Sequence, residues 1–455
     1  MVRLHAHIRP TILDQVQSGD DVRTSLWVGP GPACDRVPRI PGSKSLTNRA
    51  LLLAALARGR SSISGWLDAD DTRLMVAALR ALDVSITGGD DPGQPLQIDG
   101  RGGPLRCDHA PTLQVGTAGT VARFLLAAVA ASPGVFVLDG SARMRERPMG
   151  GLVAALRDRG AVLTALERAD ALPLRSGPHP AALRGGTIVL ERPASSQFVS
   201  ALAFAGLLAD APLEIVLREG TPARPYVDMT LAVIRSFGGE ARWSAADRIL
   251  VTPTVLTAMP YRVEPDASAA TYFLAQAAIY GGSCRIDALG HDSLQGDAAF
   301  VHVLGRMGAQ VEQRGDVTVL HGGAALQGGT FALDDMPDTA LTLAVVALFA
   351  RGPTHITGVG VLRHHESDRL AAAACELRKL GAAVEVFDDG LRITPPSARP
   401  EQPVAIDTYD DHRMAMAFSL AGAVEIRDPA CVAKTFPGYF DELARLGVPV
   451  QRTPG

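Results

Sequence analysis

The chain of 455 residues is 47% hydrophobic and 20% charged, and its formal net charge is −4. That length is too great for one ordinary hydrophobic core, and the balance excludes a disordered chain or a small disulfide-stapled scaffold. Aromatics at 5% and the lack of a basic excess exclude a nucleic-acid-binding surface as well.

The amino end has no basic stretch followed by an apolar one, and Asp20, Asp21, Pro30 and Pro32 oppose an early hydrophobic helix. The chain is therefore expected to stay in the cytoplasm. No apolar run reaches the roughly 20 residues that span a bilayer, so no membrane insertion is expected. Cys34, Cys107, Cys284, Cys375 and Cys431 lie scattered, with no CxxC pair and no metal-like spacing. They read as reduced thiols, and neither a metal nor a cofactor is expected.

The first informative segment is Pro41-Gly42-Ser43-Lys44-Ser45-Leu46-Thr47-Asn48-Arg49, a turn feeding a helix through Leu51-Leu52-Leu53. Free backbone N–H groups and the helix dipole favour an anion at such a mouth, and Lys44 adds a full positive charge. It is not a Walker phosphate loop, because Ser43 and Pro38 stand where that motif needs glycines. Next comes Gly116-Thr117-Ala118-Gly119-Thr120-Val121-Ala122-Arg123, whose small residues let a ligand approach the backbone. Arg123 in the first helical turn opposes the dipole unless an anion sits nearby.

Further along stand Arg143-Met144-Arg145-Glu146-Arg147-Pro148, Ser195-Ser196-Gln197, Glu366-Ser367-Asp368-Arg369, Asp410-Asp411-His412-Arg413 and Lys434-Thr435-Phe436-Pro437, each at a turn or helix entrance. Singly, Ser195, Ser367 and Asp411 are ordinary N-caps, and surface arginines are ordinarily solvated. Jointly, in a chain of net negative charge, they place cations at the mouths of separate segments. One cleft that receives phosphates and carboxylates explains them together.

A recurring helix-ending phrase links these segments. Its copies are Leu79-Arg80-Ala81-Leu82-Asp83-Val84, Leu156-Arg157-Asp158-Arg159-Gly160-Ala161, Ile234-Arg235-Ser236-Phe237-Gly238-Gly239, Leu304-Gly305-Arg306-Met307-Gly308-Ala309, Leu377-Arg378-Lys379-Leu380-Gly381-Ala382 and Leu443-Ala444-Arg445-Leu446-Gly447-Val448. Each puts a cation in the last turn and Gly, once Asp, at the position where φ > 0 is tolerated, followed by a strand. One such phrase ends helices in many α/β proteins; six near-regular copies mark a repeated α/β module. Two lobes of three units are expected, one over 41–261 and the other over 1–40 plus 262–455.

The segments Pro41-Gly42-Ser43-Lys44-Ser45 with Asn48-Arg49, Ala118-Gly119-Thr120 with Arg123, Glu146-Arg147-Pro148, Ser195-Ser196-Gln197, Glu366-Ser367-Asp368-Arg369, Asp411-His412-Arg413-Met414-Ala415 and Ala433-Lys434-Thr435-Phe436-Pro437 resemble, in order, the 5-enolpyruvylshikimate-3-phosphate synthase family. The resemblance implies a two-lobed inside-out α/β barrel of six repeated units joined by a two-stranded hinge. It also implies a cytoplasmic monomer that joins phosphoenolpyruvate to shikimate 3-phosphate. Phosphoenolpyruvate would meet Lys44, Gly119, Arg123, Arg147, Gln197, Arg369, Arg413 and Lys434. Shikimate 3-phosphate would meet Lys44, Ser45, Arg49, Ser195, Ser196, Gln197, Tyr226, Asp338 and His365. Proton transfer would fall to Lys44, Asp338 and Glu366, with the identity of the acid left open. Gly119, beside the phosphoenolpyruvate pocket, implies a target of glyphosate.

Four positions depart from the family pattern: Ala223 replaces a serine in the phosphate site, Thr117 an asparagine, His365 a lysine and Val361 an asparagine. A sister family performs the same transfer on UDP-N-acetylglucosamine with a reactive cysteine in a first-lobe loop. Here Cys107 precedes the Gly116 loop and the segment Arg147 to Leu152 has no cysteine. A ligand-binding paralogue with weak catalysis would explain Ala223, Val361 and His365 but not the retained Lys44, Asp338, Glu366, Arg369, Arg413 and Lys434.

Overall fold

The computed structural model describes residues 25–452 except 90, 92 and 180; the expectations for residues 1–24 lie outside the described residues. Six four-stranded sheets share one topology. In each, taken in spatial order, the first strand runs parallel to the second, the second antiparallel to the third, and the third antiparallel to the fourth. Alternating burial along strands such as Ser85–Thr87 and Pro260–Arg262 gives each sheet one face for helices and one for solvent.

The helix-ending phrases account for the regularity. At the third position from the end of each phrase's helix, a carbonyl (Leu79, Leu156, Ile234, Leu304, Leu377 or Leu443) accepts a bond of 2.9 to 3.1 Å from the N–H five residues on. All six residues just before those N–H groups, Asp83, Gly160, Gly238, Gly308, Gly381 and Gly447, have φ between 59° and 117°. This is the Schellman closure, which satisfies the last carbonyls and turns the chain straight into a strand.

Three sheets are completed by strands distant in sequence. Pro260–Arg262 joins Arg58–Ser64 in parallel, Cys34–Arg36 joins Gly282–Ile286, and Ser25–Val28 lies between Val424–Arg427 and Val450–Arg452. The chain thus passes between two bodies twice. One hydrophobic core gathers residues from Leu46 to Val263, and a second gathers Leu26, Val28 and residues from Ala267 to Val448. The return passage lies between Val263, whose N–H still donates to Ser64 O, and Asp266.

The two passages pair with each other. Ser43 N donates to Glu264 O and Asp266 N to Pro41 O, each at 2.8 Å, around a bridge between Gly42 and Pro265. A Cβ on Gly42 would lie 1.9 Å from Gly65 O, so only glycine fits this crossing.

Helices Lys44–Leu56, Gly119–Ala130, Ser196–Gly206, Ala267–Tyr280, Ala340–Val346 and His412–Ser419 are buried on nearly every side. Their Leu- and Ala-rich sequences lack a polar face, so they occupy the interior while the sheets take the solvent side. This inversion brings their amino ends to the gap between the bodies.

Candidate active site

Capping groups set the helix mouths. Ser195 Oγ accepts from Gln197 N at 3.2 Å, and Asp411 Oδ1 from Arg413 N at 3.0 Å. Asp266 caps two helices at once: Oδ1 accepts from Ala269 N in its own helix at 2.9 Å, and Oδ2 from Lys44 N in the other lobe at 3.1 Å. One carboxylate therefore ties the first residue of the Lys44 helix to the second lobe.

From these mouths a charged chain crosses the gap. Lys44 Nζ lies 3.2 Å from Asp71 Oδ2, and Lys434 Nζ of the second lobe lies 2.9 Å from Asp71 Oδ1 and 3.8 Å from Glu366. Lys434 also donates to the Thr117 hydroxyl. Arg147 donates to Thr117 O at 3.0 Å and stands 4.0 Å from Glu366. Arg123 donates to Gln197 Oε1 at 2.8 Å and Pro148 O at 3.0 Å. A Cβ on Gly119 would meet Arg123 Nη1 at 2.3 Å and Arg147 Nη2 at 2.9 Å, so the backbone leaves these guanidiniums no slack.

A second group adjoins the first through Arg369. Its Nε and Nη2 grip Asp411 at 2.8 and 3.1 Å, Nη1 reaches Asp338 at 3.1 Å, and Nη2 reaches Glu366 at 3.0 Å. Arg413 Nη2 donates to Asp338 at 2.7 Å. Burial by itself would raise the pKa of Asp338, but Arg413 and then Arg369 overcome it and hold the carboxyl below its ordinary range. For Glu366 burial is likewise overcome, by Arg369, Arg147, Lys434 and Lys44, and the group is held well below its ordinary range.

His365 replaces the lysine of the family pattern, yet it carries no charge here. Burial first, then Arg369, pushes its pKa down to about 3. Arg369 Nη1 lies 2.9 Å from Nδ1. A guanidinium can only donate, so Nδ1 accepts and the ring proton sits on Nε2.

Lys44, Ser45, Arg49, Ser195, Ser196, Gln197, Tyr226, Asp338 and His365 all line one cavity of about 60 Å³, together with Ala223 and Val361. Arg49 contributes less than its charge suggests, since its donors go to Thr230, Ser45 O, Ser200 and Tyr226 O. Burial lowers its pKa to about 10. Every residue expected around phosphoenolpyruvate falls within the charged chain described above.

Sequence reading missed three contributors. Asp71 looks like one more acidic residue in a helix's first turn, and only folding sets it between two lysines. Arg143 was seen as part of a cationic cluster, but its partners are the carbonyls of His365 and Glu366, both at 3.0 Å across the gap. Asp297 is buried under Tyr226 OH at 2.9 Å and also accepts from Ser268.

Cations and carboxylates are thus interleaved across a closed gap, where a low dielectric strengthens each charge-assisted bond. Such a site suits a small substrate bearing several negative charges, beside carboxylates held ready to accept protons. The profile of the family described as EPSP synthase (3-phosphoshikimate 1-carboxyvinyltransferase) matches residues 30–443. The chain belongs to the EPSP synthase family. A 3-phosphoshikimate 1-carboxyvinyltransferase of Nitrosomonas europaea is 45% identical over 415 residues, covering 90% of this chain and 95% of that protein. One from Serratia proteamaculans is 43% identical, covering 93% and 98%. The structure of EPSP synthase from Acinetobacter baumannii superposes with a TM-score of 0.79 at 26% identity, over 95% of this chain and all of that one.

Proposed function

We propose that the chain transfers the enolpyruvyl group of phosphoenolpyruvate to the 5-hydroxyl of shikimate 3-phosphate and releases phosphate. The observation that carries this reading is the single cavity lined by Ser45, Ser195, Gln197, Tyr226 and Asp338, which abuts the chain of cations running from Lys44 to Lys434. The sugar-like ring and its phosphate take the cavity. The enol takes the cationic side, its phosphate near Lys44, Arg147 and Lys434 and its carboxylate near Arg369 and Arg413.

The 5-hydroxyl attacks C2 of the enol as it loses its proton, while C3 gains one. Asp338 lines the cavity and is held ionised, so it is the base. Glu366 is also held ionised, which leaves the Lys44 ammonium as the proton donor toward C3. The tetrahedral intermediate then expels phosphate into the cluster of Lys44, Arg147 and Lys434. Substrate anions would displace the carboxylates of Asp71 and Glu366 from these cations, so the resting contacts keep the site assembled without making it neutral.

The lobes divide this work: 41–261 holds most of the shikimate 3-phosphate contacts, and 1–40 plus 262–455 brings Arg369, Arg413 and Lys434 to the enol. A cytoplasmic monomer fits the resemblance; light scattering of the purified protein tests the second part. Among the described residues no helix is long and apolar enough to cross a membrane.

The deciding experiment measures phosphate release with phosphoenolpyruvate and shikimate 3-phosphate, beside UDP-N-acetylglucosamine and an Asp338→Asn control. Release with shikimate 3-phosphate alone, lost in the control, is expected. Release with the nucleotide sugar alone would move the chain to the sister reaction. Against that outcome, the thiol of Cys107 donates to His109 O and lines neither the cavity nor the charged chain.

A further inference from the structure

Asp338 has a neighbour whose surroundings are its opposite. Asp297 is 4% exposed and sits in the short turn Gly296–Ala299 before the helix Phe300–Arg306. Its Oδ2 accepts from Tyr226 OH at 2.9 Å and from the Ser268 hydroxyl, and its Oδ1 has no hydrogen-bond partner. Among the described residues no guanidinium or ammonium pairs with it, whereas Asp338 pairs with both Arg369 and Arg413. The Tyr226 hydroxyl stands between them, 3.3 Å from Asp338 Oδ2. A phenol has one proton, so it donates to one carboxylate at a time and accepts from the other group if that group is protonated.

We propose that Asp297 is the final proton acceptor of a relay that begins at Asp338 and passes through the Tyr226 hydroxyl. The inference rests on the reading of Asp338 as the base. The proton leaving the 5-hydroxyl goes to Asp338. As Asp338 gives that proton to the phenol oxygen, the phenol's own proton moves to Oδ2 of Asp297. One O–H bond forms and one breaks at each of Asp338 and Tyr226, and no electrons are transferred beyond these bonds. Asp338 ends ionised, Tyr226 neutral and Asp297 a neutral acid.

The direction of transfer follows from the charges. A protonated Asp338 would leave the buried Arg413 without its paired carboxylate and weaken one contact of Arg369, while protonating Asp297 removes a buried charge that has no paired cation. The groups facing Asp297 are Asp338 from its turn, Arg413 from its helix, Tyr226 and Ser268, with Lys44 and Asp266 lining the same small cavity. Burial first and Asp338 second push the Asp297 carboxyl up to about 7, against Ser268, Arg413 and Tyr226, which lower it. A carboxyl poised there releases and accepts protons at neutral pH. Two carboxyls driven apart by their environments are the usual mark of paired acid and base duties. Asp297 does not line the cavity that Tyr226 and Asp338 line, and it acts through Tyr226 and Asp338 as a positioning group.

The test is Asp297→Asn, which keeps the shape and removes the proton acceptor. With phosphate release as the assay, kcat is expected to fall about tenfold to a hundredfold, with both KM values within about twofold of wild type. Wild-type kcat should decline as pH falls through about 7, where Asp297 fills with a proton, and the variant should lose this limb. Tyr226→Phe interrupts the same path, so the double variant should have a kcat no lower than that of the slower single variant.

If Asp297→Asn does not fold, Ser268→Ala serves instead. It strips a donor that favours the ionised carboxylate, and should move the limb to higher pH. Wild-type kcat and an unchanged pH limb in Asp297→Asn, or an unmoved limb in Ser268→Ala, would overturn the relay. So would fully multiplicative losses in the double variant. Asp338→Asn separates the two levels: if it keeps its rate, the base reading itself is wrong. If it is dead while Asp297→Asn is normal, only the relay fails.

Discussion

Replacing Gly119 with alanine adds a single methyl group where the geometry leaves no room. The new Cβ would lie 2.3 Å from Arg123 Nη1 and 2.9 Å from Arg147 Nη2. Ordinary contact begins near 3.4 Å, so Arg123 must withdraw by about 1 Å. A free surface arginine would simply swing aside. Arg123 is 2% exposed and committed to Gln197 Oε1 and Pro148 O, so withdrawal stretches at least one of those bonds. A hydrogen bond involving a charged group contributes about 1.5–3 kcal/mol, so kcat/KM for phosphoenolpyruvate should fall about 10- to 150-fold. Gly119 does not have a positive φ, so fold stability should be nearly unchanged. The assay is phosphate release with each substrate varied in turn, beside a thermal melt. An Ala variant with wild-type KM for phosphoenolpyruvate would show that the two guanidiniums take no part in holding that substrate. Glyphosate inhibition measured on the same pair should weaken in the variant if the inhibitor needs the same space.

Arg143→Ala removes two bonds from a partly exposed guanidinium to the carbonyls of His365 and Glu366. At about 1–2 kcal/mol after solvent screening, it should raise KM for phosphoenolpyruvate about 5- to 30-fold while a titration with shikimate 3-phosphate alone stays unchanged. Ala223 has φ 51° at the cap of the helix Arg224–Ser236 and makes no side-chain cap bond. Ala223→Ser restores the family's hydroxyl beside the cavity and should tighten shikimate 3-phosphate by about fivefold, read by the same titration. Asp338 has a folded pKa below its unfolded value, so its stabilisation is present above the unfolded value near 4 and is lost as pH falls below it. The gap in urea midpoint between wild type and Asp338→Asn should therefore hold above about pH 5 and shrink steadily as pH falls below about 4; a constant gap would contradict the depressed pKa.

Much of the site was readable because it sits at helix starts and turns, where chemistry and local structure use the same short segments. Lys44 with Ser45, Ser195 to Gln197 and Arg413 open buried helices, so a local phrase both caps a helix and places a ligand group. The residues that went unseen act through partners far away in the chain. Asp71 gains its role from Lys44 and Lys434, and Arg143 reaches across to the His365–Glu366 backbone. His365 stands where the family pattern has a lysine, and burial beside Arg369 leaves it a neutral ring whose Nδ1 accepts from that arginine.

By itself the sequence determined the repeated module, since each Schellman ending is a local affair of one helix turn and one residue with φ > 0. Only the tertiary structure decided where the charges pair. Ion pairs such as Lys434–Asp71 and Asp338–Arg413 depend on distance through space, and so does the bridge from Asp297 through Tyr226 to Asp338. Those distances exist only once two separately cored lobes have closed on each other.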